Sequence, residues 1–255
     1  MNMVQRLVER HGFSSTKITL MGKQVFQKDS FLLVNLDTEL VHAPNLDQYF
    51  NPLAYVFLSR HRAESGISSL TVHSTGNFSK EAELGGRARE LGRVNPDLLK
   101  NYFISLKKRQ GELNDYVVTL EATHHGPTSL MKPVMFVETG PADSNWKDER
   151  AGAVVVDALM EALSSPKVWE RVALAFGGTH YPEKFYRLLL ESDVALASVA
   201  AKYSLEDVDS EMFGQMIQKS SRFPKYAAID WKGMGRHKEK ILALAKQFAL
   251  EVMKL

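Results

Sequence analysis

Four histidine-bearing turns concentrate the reactive side chains of this sequence: Arg60-His61-Arg62, Thr71-Val72-His73, Thr123-His124-His125-Gly126-Pro127 and Gly177-Gly178-Thr179-His180. Each follows a short apolar run of strand-like composition, and five of the eight histidines sit in them. In open α/β sheets ligands collect beyond the carboxyl ends of strands, where several loops aim side chains into one crevice. Imidazoles gathered there can hold a metal or move protons. The chain has no cysteine, which excludes disulfides, thiolate zinc sites and a cysteine nucleophile. Any transition metal must be held by nitrogen and oxygen.

The strongest local signal is His124-His125. Neighbours on an extended chain point to opposite sides, so one ring is expected to face the crevice and the other to anchor the loop. The pair becomes a zinc site only where His73, His180, His61 or Glu138 converges on it from other strands. Catalytic zinc takes three nitrogen or oxygen ligands and leaves a position for water, which then ionises near neutrality. The plainer reading is that these rings satisfy buried backbone groups or titrate in a cleft. Glu138 reads as a ligand, a general base or an exposed strand-end carboxylate. Thr123, Thr179 and Ser74 can donate hydrogen bonds, although at turns such hydroxyls commonly bond their own backbone. Gly177-Gly178 lets a ligand or another backbone come close. His11 and His237 read as structural, and His42 has no assigned role. There is no Walker A loop, dinucleotide glycine fingerprint or His-Glu-x-x-His helix.

The elements that position these turns alternate between strand and helix. Met3 to Arg10 has helical apolar spacing. Ile18 to Phe26 and Phe31 to Val41 are β-rich, and Leu53 to Leu58 is a nearly continuous apolar run, as in a strand buried on both faces. Ser69 to Val72 is a short strand that delivers His73. Asn95-Pro96-Asp97 starts a helix, with asparagine as cap and proline where its missing N–H costs nothing. Leu98, Leu99, Tyr102, Phe103 and Leu106 form its apolar face, and Gly111 is expected to stop it.

Strands follow at Asp115 to Ala122, Pro133 to Val137, Val172 to Phe176, Asp193 to Ala200 and Tyr226 to Ile229. Helices are expected from about Trp146 to Leu163, from Pro182, over Met212 to Ile217, and from about Lys238 to Met253. This alternation predicts an α/β fold with a mainly parallel sheet covered on both sides, the early consecutive strands adding antiparallel pairing. No repeat, heptad run or low-complexity linker interrupts it.

At 255 residues and 44% hydrophobic, the chain can bury a full core, and one domain over 1–255 is expected. No secretory signal is visible at the amino terminus, and no apolar run approaches the ~20 residues of a membrane span. The net charge of +2 is unevenly spread. From Gln218 to Lys246 the cations Lys219, Arg222, Lys225, Lys232, Arg236, Lys238, Lys240 and Lys246 face only Asp230 and Glu239. A second basic stretch runs from Arg87 to Arg109. Solvated helix faces have this composition, and so do surfaces that neutralise nucleic-acid phosphates.

Five blocks together resemble the archaeal and plant type of D-aminoacyl-tRNA deacylase. They are Ser59-Arg60-His61-Arg62-Ala63-Glu64-Ser65-Gly66, Ser69-Leu70-Thr71-Val72-His73-Ser74-Thr75-Gly76-Asn77, Glu121-Ala122-Thr123-His124-His125-Gly126-Pro127, Gly177-Gly178-Thr179-His180-Tyr181-Pro182 and Ile229-Asp230-Trp231-Lys232-Gly233. The similarity runs over nearly the whole chain. It implies a zinc-dependent hydrolase that cleaves the ester between a D-amino acid and the terminal ribose of tRNA. It also implies a three-layer α/β/α fold with a mixed, mainly parallel sheet, like those of peptidyl-tRNA hydrolases and nucleoside phosphorylases.

With that family in view, His73, His124, His180 and His61 are expected as metal ligands, and His124, His125, Glu138 and Thr179 as catalytic residues. Lys232, Arg236, Lys238 and Lys240, within a basic segment of about 218–255 packed on the domain, are expected to hold the tRNA acceptor end. A cytoplasmic monomer is expected. Family members usually begin with a short apolar strand before the helix that starts here near Asn2, so one sheet position is expected to be empty or differently filled. The alternatives are another metal-dependent small-molecule hydrolase or nucleoside phosphorylase-like enzyme, and a non-catalytic tRNA-binding module.

Overall fold

Turn chemistry divides the amino-terminal third differently from its β-rich composition. A computed structural model describes residues 3–64 and 66–255. Met1 and Asn2, together with Ser65 of the Ser59–Gly66 block, lie outside the described residues. Helix α1 (Met3–His11) leads into β1 (Ser14–Leu20), β2 (Lys23–Lys28) and β3 (Phe31–Leu33), an antiparallel three-stranded sheet. The run Ile18 to Phe26, expected as one strand, is therefore a hairpin. Met21 and Gly22 have φ of 50° and 77°, and two successive positive φ values reverse the chain with the twist that a hairpin needs. The run expected from Phe31 to Val41 stays extended only to Leu33.

Two four-stranded sheets carry the rest. The first has the order β4 (Tyr55–Arg60), β9 (Val134–Gly140), β5 (Ser69–His73) and β8 (Val117–Leu120). The second has the order β11 (Val194–Ala200), β10 (Arg171–Phe176), β12 (Tyr226–Ile229) and β13 (Glu251–Lys254). All neighbours within them run parallel except β5 and β9. They meet where the chain leaving β8 bonds to the second sheet: Thr123 N–H donates to the Val199 carbonyl at 2.9 Å and Ala122 N–H to the His180 carbonyl at 2.8 Å. The short pair β6 (Gly76–Asn77) and β7 (Glu90–Leu91) lies beside this junction.

Helices α2 (Pro96–Lys108), α4 (Glu149–Ser164) and α5 (Glu183–Glu191) cover one face, and α6 (Ser210–Gln218) and α7 (Lys238–Gln247) the other. Period-2 alternation makes these layers. Ala173 and Ala175 of β10 enter the core under α2, α4 and α5, while Val172, Leu174 and Phe176 enter the core under α6 and α7. In β9, Met135 and Val137 join the first core, and Val134 and Phe136 pack toward the amino-terminal hairpin. The arrangement is three-layer α/β/α with a mixed, mainly parallel sheet. No helix among the described residues is long and apolar enough to cross a membrane.

Three expected helices change their limits for local reasons. The Asn95 side chain caps α2 as expected, accepting from Leu98 N–H at 3.1 Å, but α2 ends at Lys108 in a 3-10 turn over Gln110–Glu112 rather than at Gly111. The helix expected from Trp146 is split into α3 (Asp143–Trp146) and α4, because the Asp148 side chain caps a new start and accepts from Arg150 and Ala151 N–H. The closing helix stops at Gln247. Ala249 turns the chain at φ 55°, and the segment expected as its last turn becomes β13, parallel to β12.

Candidate active site

All five turn histidines meet, but not at a shared carboxyl edge of the sheet. β4 and β9 run against β5 and β8, so their ends point in opposite directions. The meeting point is a sheet face. In the antiparallel register Thr71 lies opposite Glu138 and His73 opposite Phe136, and period-2 alternation sends all four side chains to one side. Glu138 is therefore a mid-strand residue, not a turn carboxylate, and it is buried. His61 reaches it from the end of β4, His73 from the end of β5, and Glu121, His124 and His125 from the chain leaving β8. His180 arrives from the loop after β10.

Both rings of the His124-His125 pair face the cluster, contrary to the alternation expected of an extended chain. His125 has φ 43°, a left-handed turn that few non-glycine residues adopt outside functional or tightly constrained sites. It brings the two ring centroids to 4.3 Å, and each lies beside His73, at 4.1 and 4.7 Å. His73 itself stacks on Phe136 at 5.3 Å.

The ring nitrogens divide the histidines into two classes. In His73, His124 and His125 the Nδ1–H donates to a backbone carbonyl, of Ser74 at 3.1 Å, Ala122 at 2.8 Å and Gly126 at 2.7 Å. A carbonyl only accepts, so the hydrogen must sit on Nδ1 and Nε2 is left with its lone pair, the usual preparation of a metal-binding imidazole. His73 is 0% exposed and its Nε2 has no hydrogen-bond partner. These three residues offer nitrogens within 4.8 Å of one another.

His61 and His180 are engaged at both nitrogens. His61 Nδ1 lies 3.1 Å from Glu138 and 3.3 Å from Glu121, and its Nε2 lies 3.0 Å from the Tyr181 hydroxyl. His180 Nε2 lies 2.9 Å from Glu121 and its Nδ1 2.9 Å from the Tyr203 hydroxyl. Two Glu–His–Tyr chains thus flank the three-histidine group, and Glu121 also lies 3.6 Å from His124 Nε2.

The charges follow from this packing. Burial alone would raise the carboxyl pKa of Glu138, but the hydrogen bond from His61 and the His73 ring, whose Nε2 lies 3.9 Å away, hold it well below the usual range. Glu121 is lowered in the same way, burial being outweighed by the His180 bond and the nearby imidazoles. Burial opposes charging of His61 and His73, yet Glu138, bonded to His61 and 3.9 Å from His73 Nε2, and Glu121 raise both. His124 and His125 lack a direct carboxylate bond of that strength. Burial and the charge on His73 push His124 well down and His125 to about 4. Burial raises the Tyr181 hydroxyl to about 12, so it stays protonated at neutral pH.

This donor set fits a zinc ion. It is all nitrogen and carboxylate, its rings are oriented by backbone carbonyls, and His73 Nε2 and Glu121 Oε1 are buried polar atoms without a hydrogen bond, 3.9 Å from Glu138 and 3.3 Å from His61. Of the expected metal ligands, His73 and His124 group with His125, which was expected only as catalytic, while His180 groups with Glu121 and His124, and His61 with Glu121 and Glu138, also within 4.8 Å; the nitrogens of His61 and His180 are already hydrogen-bonded. Thr179 stays outside the cluster, exposed, with its hydroxyl donating to the Tyr181 carbonyl. Ser74 and Thr123 bond each other at 2.7 Å and tie the β5 loop to the β8 loop instead of closing their own turns. Gly177-Gly178 makes room for protein, with the Asp230–Gly233 backbone packed against it.

Sequence reasoning missed Glu121, Tyr181 and Tyr203. The signal for Glu121 was a carboxylate three residues before His124, at the end of a strand. Tyr203 carries no local signal at all. The cluster opens into a cleft of about 1590 Å³ that also runs along the outer edge of β4, beside Val56, Leu58, Leu7 and Met160. Among the described residues no further strand pairs with that edge.

Comparison with known proteins places the same residues in a known context. A family model described as D-aminoacyl-tRNA deacylase matches residues 49–253, which include the whole cluster. The chain belongs to the D-aminoacyl-tRNA deacylase family. A D-aminoacyl-tRNA deacylase of Cenarchaeum symbiosum is 37% identical over 223 residues, covering 88% of this chain and 86% of the relative. One from Pyrococcus furiosus is 33% identical over 263 residues, covering 100% of this chain and 95% of the relative. A crystal structure described as a conserved protein of unknown function, AF0625, superposes with a TM-score of 0.91 at 29% identity, covering 99% of this chain and 90% of that one.

Proposed function

We propose that this chain, acting as one unit and as a cytoplasmic monomer, hydrolyses the ester of D-aminoacyl-tRNA to free D-amino acid and tRNA. The observation that carries the chemistry is the set of three Nε2-presenting histidines beside a buried carboxylate, Glu121, one of whose oxygens carries no hydrogen bond. Held by His73, His124 and His125, zinc supplies Lewis acidity toward the ester carbonyl and toward water. Glu121 accepts the proton of the attacking water through Oε1, which carries no hydrogen bond and lies 3.3 Å from His61 Nδ1. His180, 2.9 Å from Glu121, shares that proton and returns it to the departing ribose oxygen, so the two act as one acid/base unit. Tyr203, 58% exposed, links His180 to solvent. Glu138 fixes His61 and His73 in place, which makes it a positioning residue.

The basic segment serves the tRNA phosphates unequally. Arg236 is paired with Glu206 at 3.0 Å, and Lys240 donates to the Leu205 and Glu206 carbonyls at 3.1 and 2.7 Å. Both hold the loop after β11 against the start of α7. Lys232 is exposed, and Lys238 lies 4.3 Å from the Trp231 ring beside Lys254. Reversing the charge of Lys232 and Lys238 should weaken tRNA binding and reduce its salt slope by about one per lost contact. An unchanged slope returns the segment to a solvated face.

The decisive experiment is hydrolysis of paired D- and L-tyrosyl-tRNA with and without a chelator. Release of D-tyrosine that stops on chelation and returns with zinc supports the proposal. Failure to cleave either ester, or cleavage of free nucleosides instead, overturns it.

A further inference from the structure

Arg60 and Arg62 flank His61 on the rim of the cleft, and the deacylase chemistry leaves them without a task. The geometry points to an anion seat built from these two guanidiniums on Trp146, which takes a phosphodiester of the single-stranded 3′ end of the substrate. The inference rests on the tRNA reading above and adds where the strand is gripped.

The placement follows from the chain. His61 turns its ring inward to Glu138, so residues 60 and 62 leave the strand end on the other side. Both guanidiniums come to Trp146, at 5.1 and 5.5 Å from the ring centroid. Trp146 is tied to the same point, its indole N–H donating to the His61 carbonyl at 3.1 Å. The platform is therefore fixed relative to the catalytic rings.

The charges on it are not satisfied. Both arginines are exposed, and neither makes an ion pair among the described residues, although Asp143, Asp148 and Glu149 lie on the neighbouring helices. Asp143 pairs with Lys147 and Asp148 with Arg150 instead. An exposed cation–π contact offsets only a little of the repulsion between two like charges held on one ring.

Trp169 shows what a saturated version looks like. Lys100 and Lys167 each lie 3.8 Å from its ring, but Lys100 is fully buried and donates to the Ser192 and Val194 carbonyls at 2.6 and 2.9 Å. Arg60 and Arg62 have no such acceptors. They line the same cleft as Glu121, His124 and His180, and Arg62 also borders a shallow basin with Ala63, Glu64, Pro141 and Trp146. Glu64 is the one carboxylate there. Paired guanidinium forks match the geometry of a phosphate, and unstacked 3′ nucleotides present such groups without a duplex.

The test compares D-tyrosyl-tRNA with 3′-O-(D-tyrosyl)adenosine, which carries the same ester and no phosphate. In the variant R60Q/R62Q, the ratio of kcat/KM on the first substrate to that on the second should fall about tenfold to a hundredfold, as expected for losing one or two charge-assisted bonds. The fall should lie in KM. R62K, which keeps charge but not the fork, should fall between wild type and the double variant. Equal losses on both substrates, or no loss on either, overturn the seat. Should wild type cleave neither ester, the deacylase reading fails on its own; calorimetry with the trinucleotide CpCpA then judges the seat, binding to wild type and not to R60Q/R62Q supporting it, equal binding or none refuting it.

Discussion

Substituting the turn histidines one at a time by asparagine separates metal ligands from proton carriers without asking for activity. If His73, His124 and His125 hold zinc, the metal binds only the folded chain and stabilises it by mass action. At a hundredfold excess over its dissociation constant that is about 2.7 kcal/mol. For a chain of this size each kcal/mol moves the unfolding midpoint by roughly 2–4 °C, so adding zinc to chelated protein should raise Tm by about 5–11 °C. The buried His73 Nε2 has no partner in the protein itself, and an orphaned buried polar atom costs about 1–3 kcal/mol, a cost the metal relieves.

His73→Asn, His124→Asn and His125→Asn should each reduce the zinc-dependent shift to under about 2 °C, judged on the same scale. His61→Asn and His180→Asn should keep most of it, because their nitrogens are bonded to Glu138, Glu121, Tyr181 and Tyr203. His42→Asn is the control outside the cluster. Differential scanning fluorimetry with matched chelator and zinc arms reads all six. A shift lost in His61→Asn or His180→Asn but retained in His125→Asn would falsify the division of the histidines argued here.

Glu121→Gln keeps the shape of the buried acid and removes its basicity. Its kcat/KM should drop about a hundredfold or more, whereas activity within threefold of wild type removes Glu121 from the chemistry. His125, lowered to about 4 in the folded chain, takes up a proton more readily when unfolded, so the unfolded state binds more protons between about pH 4 and its ordinary 6.5. Stability of chelated protein should therefore decline as pH falls through that window, and His125→Asn should flatten the decline; an equal loss of unfolding free energy between pH 7 and pH 5 in wild type and His125→Asn, read from urea titrations, would count against it. Asn95→Ala deletes the α2 cap and should cost about 1 kcal/mol, seen as a Tm loss with kcat unchanged. A neutral result there would mean that Pro96 and packing set the helix start alone.

Much of the local structure is written in short-range chemistry. Asn95-Pro96 fixed the start of α2 and the apolar runs fixed β10 and β12, whereas the run from Leu53, expected to be buried on both faces, gives the half-buried edge strand β4 and leaves Leu53 93% exposed, since no strand covers its outer side among the described residues. The hairpin turn at Met21-Gly22 was hidden because methionine carries no turn signature, and β13 was hidden because its residues continue a helical pattern past Gln247. In both places a positive φ at a non-glycine residue, Met21 and Ala249, decides the path. That preference comes from the surrounding packing, which no window of sequence contains.

The amino-acid order by itself determined which donors exist and excluded thiolate from any metal site, since the chain has no cysteine. It also determined the family, through motifs long enough to be specific. Tertiary structure alone decided how those donors divide the work. Register sets which face a side chain takes, and the antiparallel pairing of β5 with β9 put Glu138 beside His73. The left-handed turn at His125 put two neighbouring rings on one side, and bonds across 59 and 23 positions gave His180 its two partners, Glu121 and Tyr203. A ring nitrogen is a ligand or a proton carrier according to what already occupies it, and that occupant comes from elsewhere in the chain.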